Sequence, residues 1–179
     1  MDYFEGIIKT LLEHEGYWVR QSFKVNLTKA EKRDIGKYSM PRPEIDLLAF
    51  KPHANQIFAI EAKSYLDSLG VRVADLDQCH EVREGRYKLF TCSNYRSVVF
   101  ERLKADLVEL GMVSQSANIT LGLAAGNVYQ SKSNEIEELF KRRNWLFWSP
   151  ECIKDMVCAL AVKGYENEPA IITAKILMR

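Results

Sequence analysis

The sequence has few of the residues that build zinc sites or disulfide frameworks. Its 179 residues include four cysteines and three histidines. The cysteines form no Cys-x-x-Cys pair and have no histidine at zinc-ligand spacing, so we expect reduced thiols in a cytoplasmic protein. The histidines are scattered along the chain, which leaves little material for a histidine-based metal centre.

Long apolar runs are also missing. No stretch approaches the roughly 20 apolar residues that a membrane-spanning helix needs, and no basic segment followed by an apolar run opens the chain. We therefore expect no membrane association and no export. Repeats, low-complexity segments and linkers are absent as well, so residues 1–179 are predicted to form a single domain that folds without covalent cross-links.

The chain carries no strong excess of either charge, since its formal net charge is +1. This value neither favours nor excludes nucleic acid, because a binding face needs positive charge over only a few phosphates. Two local clusters of basic residues are more informative. Acidic residues are interspersed in both clusters, so a solvated charged surface remains an alternative. The basic residues of the clusters are Lys29, Lys32, Arg33, Lys37 and Arg42, followed by Arg83, Arg86 and Lys88.

Apolar periodicity and capping residues predict an α/β fold with helices on both faces of a short sheet. Asp2 and Gly16 have the residue types that begin and end a first helix, and Thr28 and Glu31 have the spacing of a capping box. The remaining predicted helices span 71–86, 94–110, 133–143, a segment from 150, and 166–179; the predicted strands outside the central hairpin span 17–25, 119–125 and 145–148.

Two apolar runs, residues 44–51 and 56–63, are separated by only four residues and predict an antiparallel hairpin. If the turn is centred between its second and third residues, Asp46 faces Glu61 and Glu44 faces Lys63. The four side chains then share one face of the hairpin, at the end away from the turn. The opposite face is predicted to carry Ile45, Leu47, Ala49, Phe58, Ile60 and Ala62.

Two carboxylates that face each other at partial burial repel and lose hydration, so something must compensate them. A divalent cation does this well, because magnesium prefers hard carboxylate oxygens and commonly uses one or two of them together with water and phosphate. A nearby lysine can neutralise an acid, orient a water or offset charge on a phosphate.

Residues 42–50, Arg-Pro-Glu-Ile-Asp-Leu-Leu-Ala-Phe, and residues 58–63, Phe-Ala-Ile-Glu-Ala-Lys, resemble the bipartite signature of the PD-(D/E)XK nuclease superfamily. The resemblance covers about residues 1–90. It implies a restriction endonuclease-like mixed sheet with an αβββαβ core, similar to that of restriction endonucleases and Holliday-junction resolvases. The literal Pro-Asp pair is missing, because Glu44 and Ile45 separate the proline from Asp46, so Glu44 remains an alternative first acid.

The resemblance also implies a function, namely magnesium-dependent hydrolysis of DNA, with manganese as a substitute for magnesium. The implied metal ligands are Asp46, Glu61, the Ala62 carbonyl and, from the first helix, Glu5. Lys63 would assist the attacking water, and Gln78 would face the site from the following helix. The basic clusters would bind DNA, and a homodimer remains open.

Two other functions stay open at this stage. The first is a catalytically silent nuclease-like fold that binds nucleic acid or protein in a defence or repair complex. The second is a structural subunit that uses the aromatic run 145–148 as an interface, although we expect this run to lie in the core.

Overall fold

Five strands form one mixed sheet in the computed structural model, which describes residues 2–36 and 38–179. Their order in the sheet follows the sequence. The first three strands are antiparallel neighbours, whereas the fourth runs parallel to the third and the fifth parallel to the fourth. The strands are β1 (Trp18–Lys24), β2 (Glu44–Lys51), β3 (Gln56–Lys63), β4 (Asn118–Ala125) and β5 (Leu146–Trp148).

Helices cover both faces of the sheet, so the predicted α/β class is confirmed at this level. No described helix combines the length and the apolar character that a membrane crossing needs. The helices are α1 (Tyr3–His14), α2 (Lys29–Asp34), α3 (Val73–Leu76), α4 (Lys88–Thr91), α5 (Ser93–Glu109), α6 (Ser133–Arg143), α7 (Pro150–Ala161) and α8 (Pro169–Leu177).

The sheet separates two apolar clusters. On one face α1, α7 and α8 bury side chains such as Ile8 and Ile171 against Leu47, Phe58 and Ile60. On the other face α4, α5 and α6 bury Phe90, Leu103 and Phe140 against Leu48, Ile57 and Leu121. Burial of apolar surface on both faces gives the sheet a rigid centre, and polar side chains are left to the ends of its strands.

Side-chain caps account for where several helices begin, and those of α1 and α2 were predicted. The Asp2 side chain accepts a hydrogen bond from the Phe4 amide at 2.8 Å. Thr28 and Glu31 form the predicted capping box, with the Thr28 amide 2.7 Å from Glu31 Oε2. Ser149 caps α7, with proline at its first position. These bonds satisfy backbone donors that have no partner inside the helix.

The central hairpin has the predicted bounds, and the predicted register holds from Leu47 to Lys51. The predicted direct pairs of Asp46 with Glu61 and of Glu44 with Lys63 are not part of the strand ladder. Leu47 pairs with Ile60 and Lys51 with Gln56, as expected for a turn centred in the four-residue link. The link forms a short 3₁₀ turn, Pro52–Ala54, followed by Asn55 at φ +47. Asparagine tolerates this left-handed conformation better than most residues, so it allows the tight reversal.

The predicted helix over 71–86 is wrong, since only Val73–Leu76 is helical. Val71 instead forms a bridge with Val128, and the His80 amide donates to the Thr91 carbonyl at 2.8 Å. Val82 is exposed, so a longer helix would bury too little apolar surface to offset the cost of nucleation. Residues 77–87 consequently form an irregular segment beside the sheet.

Two smaller predictions also need correction. The last helix is shorter than the predicted 166–179, since it begins at Pro169, is capped by Glu168 and ends at Leu177. Ile45 packs in the α5-side cluster, although strict alternation places it with Leu47. Its strand partner Phe23 lies in the same cluster, so the end of the β1–β2 pair turns its apolar side chains towards α5.

The aromatic run 145–148 is half-buried rather than fully enclosed. Trp145 packs edge-on against Phe90 and Phe140, with ring centroids 5.4 Å apart in each pair. Trp148 lies against Phe58 and above Gly122, on the opposite face of the sheet. These contacts agree with the expectation that the run contributes to the core.

Candidate functional site

Asp46, Glu61 and Lys63 meet at one end of the sheet. The Lys63 ammonium lies 2.9 Å from Glu61 Oε2 and 3.3 Å from Asp46 Oδ2. All three side chains are largely buried, with exposed fractions of 20% for Lys63 and Asp46 and 12% for Glu61. The lysine therefore bridges the two acids, which the sequence predicts to be neighbours.

The local backbone explains why Asp46 points towards β3. The β2–β3 pairs end at Leu47 and Ile60. Beyond them the Ala62 amide donates to Asp46 Oδ2 at 2.9 Å, so the carboxylate serves as its acceptor. On the other side of β2 the pairing with β1 omits Ser22, which has φ +50. Asp46 therefore occupies a local irregularity between two otherwise regular strand pairs.

Burial and neighbouring charges both shift the pKa values of Glu61 and Lys63. Burial raises the pKa of the Glu61 carboxyl, and the Asp46 charge adds to the rise, while Lys63 counteracts it. Burial alone would lower the pKa of Lys63, but Glu61 and Asp46 outweigh burial and raise it. Lys63 is accordingly an ammonium ion that donates hydrogen bonds to both acids.

The donor set fits a cation that needs few protein ligands. Among the described residues, hydrogen bonds reach Asp46 only at Oδ2 and Glu61 only at Oε2, so the second oxygen of each acid keeps its lone pairs. No group of three or more histidine, cysteine, aspartate or glutamate side chains at metal-binding distance occurs in residues 2–36 and 38–179. Two carboxylates suit magnesium, which completes its shell with water, but not a structural zinc site.

A cleft of about 570 Å³ opens beside the three residues. Residues 40–43 contribute to its lining, together with Tyr65, Arg83, Arg86 and Lys88. Its charged lining consists of five cations, Arg42, Lys63, Arg83, Arg86 and Lys88, and three carboxylates, Glu44, Asp46 and Glu61. We call this space the acid–lysine cleft. Its excess of cations is compatible with a phosphate-bearing ligand.

Glu5 lies near the cleft without lining it. Burial raises the pKa of Glu5, and the Asp46 charge contributes to the rise while Lys63 opposes it. These influences place the first turn of α1 close to the acid–lysine group. Glu44 lines the cleft but pairs at 3.9 Å with Lys24 on β1, on the side away from Glu61. Asp46, rather than Glu44, is therefore the first-strand acid in contact with Lys63.

Gln78 does not reach the cleft. It follows α3 on the irregular segment, and its side chain contacts His80 Nε2 at 3.0 Å at the surface. It lines a separate depression with Asp75 and Glu84. The expectation that Gln78 faces the acids is wrong because it depended on the helix over 71–86, which does not form.

The structure divides the predicted basic residues into two groups. Arg42, Arg83 and Arg86 line the cleft. Lys29, Lys32 and Arg33 lie on α2, outside the cleft, and Lys37 lies outside the described residues. Glu31 ties α2 to α5 through Arg102, with nitrogen to oxygen distances of 2.7–3.1 Å. The α2 group is therefore not part of the cleft lining.

Sequence reasoning missed Tyr95 as a part of the cleft. Tyr95 is almost fully buried beneath it, and burial raises its pKa to about 12, with the Glu61 charge contributing and Arg83 opposing. Its sequence signal is only an apolar position of α5, which gives no hint of the contact. Lys88 was recognised as part of a basic cluster, and its charge acts directly on Glu61.

Comparison with known proteins adds little to this geometry. No protein-family model matches the chain, and no curated protein matches it. The crystal structure of AF1548, a protein of unknown function, is similar with a TM-score of 0.39 and 13% sequence identity. The match covers 86% of this chain and 65% of AF1548, so the chain spans slightly less than two thirds of that protein's length.

Proposed function

We propose that this chain is a metal-dependent nuclease of the PD-(D/E)XK type that hydrolyses DNA phosphodiester bonds. The observation that carries the proposal is the meeting of Asp46, Glu61 and Lys63 at the ends of adjacent strands, beside a cleft with a basic lining. Surface ion pairs also bring acids and lysines together, but they do so without burial and without a cleft.

The order of the elements supports a restriction endonuclease-like fold. Apart from the short helix α2 between β1 and β2, a helix, three antiparallel strands, a helical region and a parallel strand follow each other along the chain, in agreement with an αβββαβ core. The two acids lie on the second and third strands of that core, which form the hairpin. This arrangement matches the positions that the sequence resemblance implies.

Asp46 and Glu61 would hold magnesium, or manganese in its place. Each would use the carboxylate oxygen that accepts no hydrogen bond from the described residues. The Ala62 carbonyl and Glu5 are the further proposed ligands. When bound, the cation supplies Lewis-acid stabilisation of charge on the phosphate and lowers the pKa of a coordinated water. Because the Ala62 amide and Lys63 bind the other oxygens, the two carboxylates are held in place before a cation arrives.

Lys63 would act as a charged donor rather than as a base. In the metal-free site its acidic neighbours raise its pKa, so it keeps its proton and has no free lone pair with which to take one from a water. An ammonium at this position orients a water or phosphate oxygen and offsets the negative charge that develops in the transition state. This role also explains why the lysine is placed between the two acids.

The experiment that tests the proposal is a cleavage assay on plasmid, linear and branched DNA with magnesium or manganese. We expect Asp46→Asn and Lys63→Ala to lower the rate on the order of 100-fold or more, since each removes a group that acts on developing charge. Glu44→Gln is the matched control, because Glu44 lines the same cleft and does not contact Lys63. Unchanged cutting by both variants would contradict the proposal.

A second candidate is a nuclease-like fold that binds nucleic acid or protein without cleaving. The observation that favours it is the lysine bridge, which satisfies both acids without any metal. This candidate predicts that DNA survives every metal condition. It also predicts that DNA affinity responds to Arg42→Ala but not to Asp46→Asn.

A further inference from the structure

Tyr65 has a strained backbone next to the acid–lysine group. Its φ is +44, in the left-handed region that large side chains avoid. Such a conformation costs of order 1–3 kcal/mol and persists only where surrounding structure enforces it. Because Tyr65 follows Lys63 by two positions, the strain lies at the edge of the candidate site.

Two residues after β4 enforce this turn. Gly126 has no side chain, and a Cβ atom there would lie 2.4 Å from the Ser64 carbonyl oxygen, so the two backbones approach more closely than any other residue permits. The Asn127 side-chain amide donates to the carbonyls of Tyr65 and Ser68, at 3.3 and 2.9 Å. The turn is thus held from both sides.

The enforced turn directs the Tyr65 side chain to the wall of the cleft. Arg86 lines the same cleft, and Tyr87 follows it in the chain. Burial would raise the pKa of Tyr65, but these two neighbours lower it. The Arg86 side chain is exposed to solvent, so it can meet a ligand without first losing a buried partner.

The chemistry of this wall suits a phosphate. A guanidinium donates two parallel hydrogen bonds to phosphate oxygens, and an acidified hydroxyl is a strong donor beside it. Lys88 adds a cation along the same lining. The group is separate from Asp46 and Glu61, whose negative charge would repel an anion unless a cation lay between them.

We infer that Tyr65 and Arg86 together form a second phosphate subsite in the acid–lysine cleft. It would take a phosphate of the bound DNA strand next to the one held at Asp46, Glu61 and Lys63. This inference rests on the proposed function, since it assumes a ligand with consecutive phosphates. The strained turn is then explained as the means of aiming one hydroxyl at that phosphate.

The test is binding of a fluorescently labelled strand of twelve thymidines, by anisotropy, in EDTA and over a series of salt concentrations. A single strand avoids base-pair melting, and EDTA prevents metal-dependent cutting. We expect Arg86→Ala to reduce the slope of log affinity against log salt by about 0.7, as for one lost phosphate contact. Tyr65→Phe should keep that slope and weaken binding by about fivefold, as for one lost hydrogen bond.

The double variant distinguishes a joint subsite from two independent contacts. If the two side chains hold one phosphate, Tyr65→Phe should cost less in the Arg86→Ala background than in the wild type. Additive losses, or an unchanged salt slope in Arg86→Ala, would overturn the inference. Arg142→Ala is the control, because Arg142 is an exposed arginine of α6 that does not line the cleft.

The two proposals fail in different ways. Coupled losses of strand affinity in EDTA, together with no DNA cutting in magnesium, would support the subsite and reject the nuclease. Magnesium-dependent cutting with additive losses would support the nuclease and reject the subsite. A wild-type protein that neither binds the strand nor cuts DNA would reject both.

Discussion

At the scale of single residues, Lys63 determines the charge balance of the candidate site. Two partly buried carboxylates repel each other, and the lysine between them compensates the cost of burying their charge. Removing one partner of such a group leaves an uncompensated charge, whereas adding a divalent cation gives the acids a second counterion. The triad is therefore charge-compensated without metal, and the proposed function requires that it also accept one.

Glu5 provides a prediction about stability at this scale. Burial and the charge of Asp46 raise its pKa, so the folded state favours protonated Glu5. The stability that protonated Glu5 contributes is fully present below the ordinary glutamate pKa. It is lost as pH rises through the raised pKa of the folded state. Glu5→Gln mimics the protonated form, so we expect it to raise the melting temperature at pH 7 and to leave it unchanged near pH 3.

Thermal unfolding of wild type and Glu5→Gln at the two pH values measures this difference. Glu13→Gln is the control, because Glu13 lies on the same helix and pairs with Lys9 at 3.8 Å. If Glu5→Gln lowered the melting temperature at pH 7, Glu5 would be a stabilising partner of a cation rather than a repelled acid.

At the scale of elements, the hairpin β2–β3 and the turn at Tyr65 position the site. The hairpin was predictable with its bounds and register, because alternation on both strands and a four-residue link leave one consistent pairing. The contact between Gly126 and the Ser64 carbonyl was not predictable, since it joins segments about sixty residues apart. The helix over 71–86 was predicted wrongly, because tertiary contacts of Val71 and His80 override its local pattern.

Gly126→Ala is the prediction that belongs to this scale. The new Cβ atom would lie 2.4 Å from the Ser64 oxygen, which is backbone and has little room to move. We expect a loss of about 1–3 kcal/mol in the free energy of unfolding, as for other overpacked sites. Urea denaturation measures this loss.

Gly164→Ala is the matched control, because an added Cβ there meets no atom within 4 Å. It should change the free energy of unfolding far less than Gly126→Ala does. Equal effects of the two substitutions would mean that the close approach at Gly126 does not constrain the turn.

For the whole molecule, the proposed function raises the question of which basic surface would bind DNA. The sequence predicted both basic clusters, but it could not show that Arg42 and Arg86 line one cleft to which α2 contributes no residue. That distinction depends on how the chain brings residues 40–43 and 83–88 to the same end of the sheet. The proximity of Glu61 to Asp46, by contrast, was predictable from the hairpin pairing together with strand alternation.

We expect the cleft, not α2, to carry most of the DNA affinity. Arg42→Ala should weaken binding of a DNA duplex and reduce the salt slope by about 0.9, the value for one phosphate contact on a duplex. Lys29→Ala should change both quantities little, although it removes the same charge from the α2 surface. Anisotropy measurements at several salt concentrations compare the two variants, and a larger effect of Lys29→Ala would move the interface to α2.

The measurement that tests the central claim most directly is calorimetric titration of manganese into the wild-type protein and into Glu61→Gln. Because Asp46 and Glu61 offer the paired carboxylate oxygens that a hard cation binds, we expect saturable binding by the wild type. Glu61→Gln should abolish it, while Glu44→Gln should retain it. Equal manganese binding by wild type and Glu61→Gln, or none by either, would contradict a metal-dependent active site at the acid–lysine cleft.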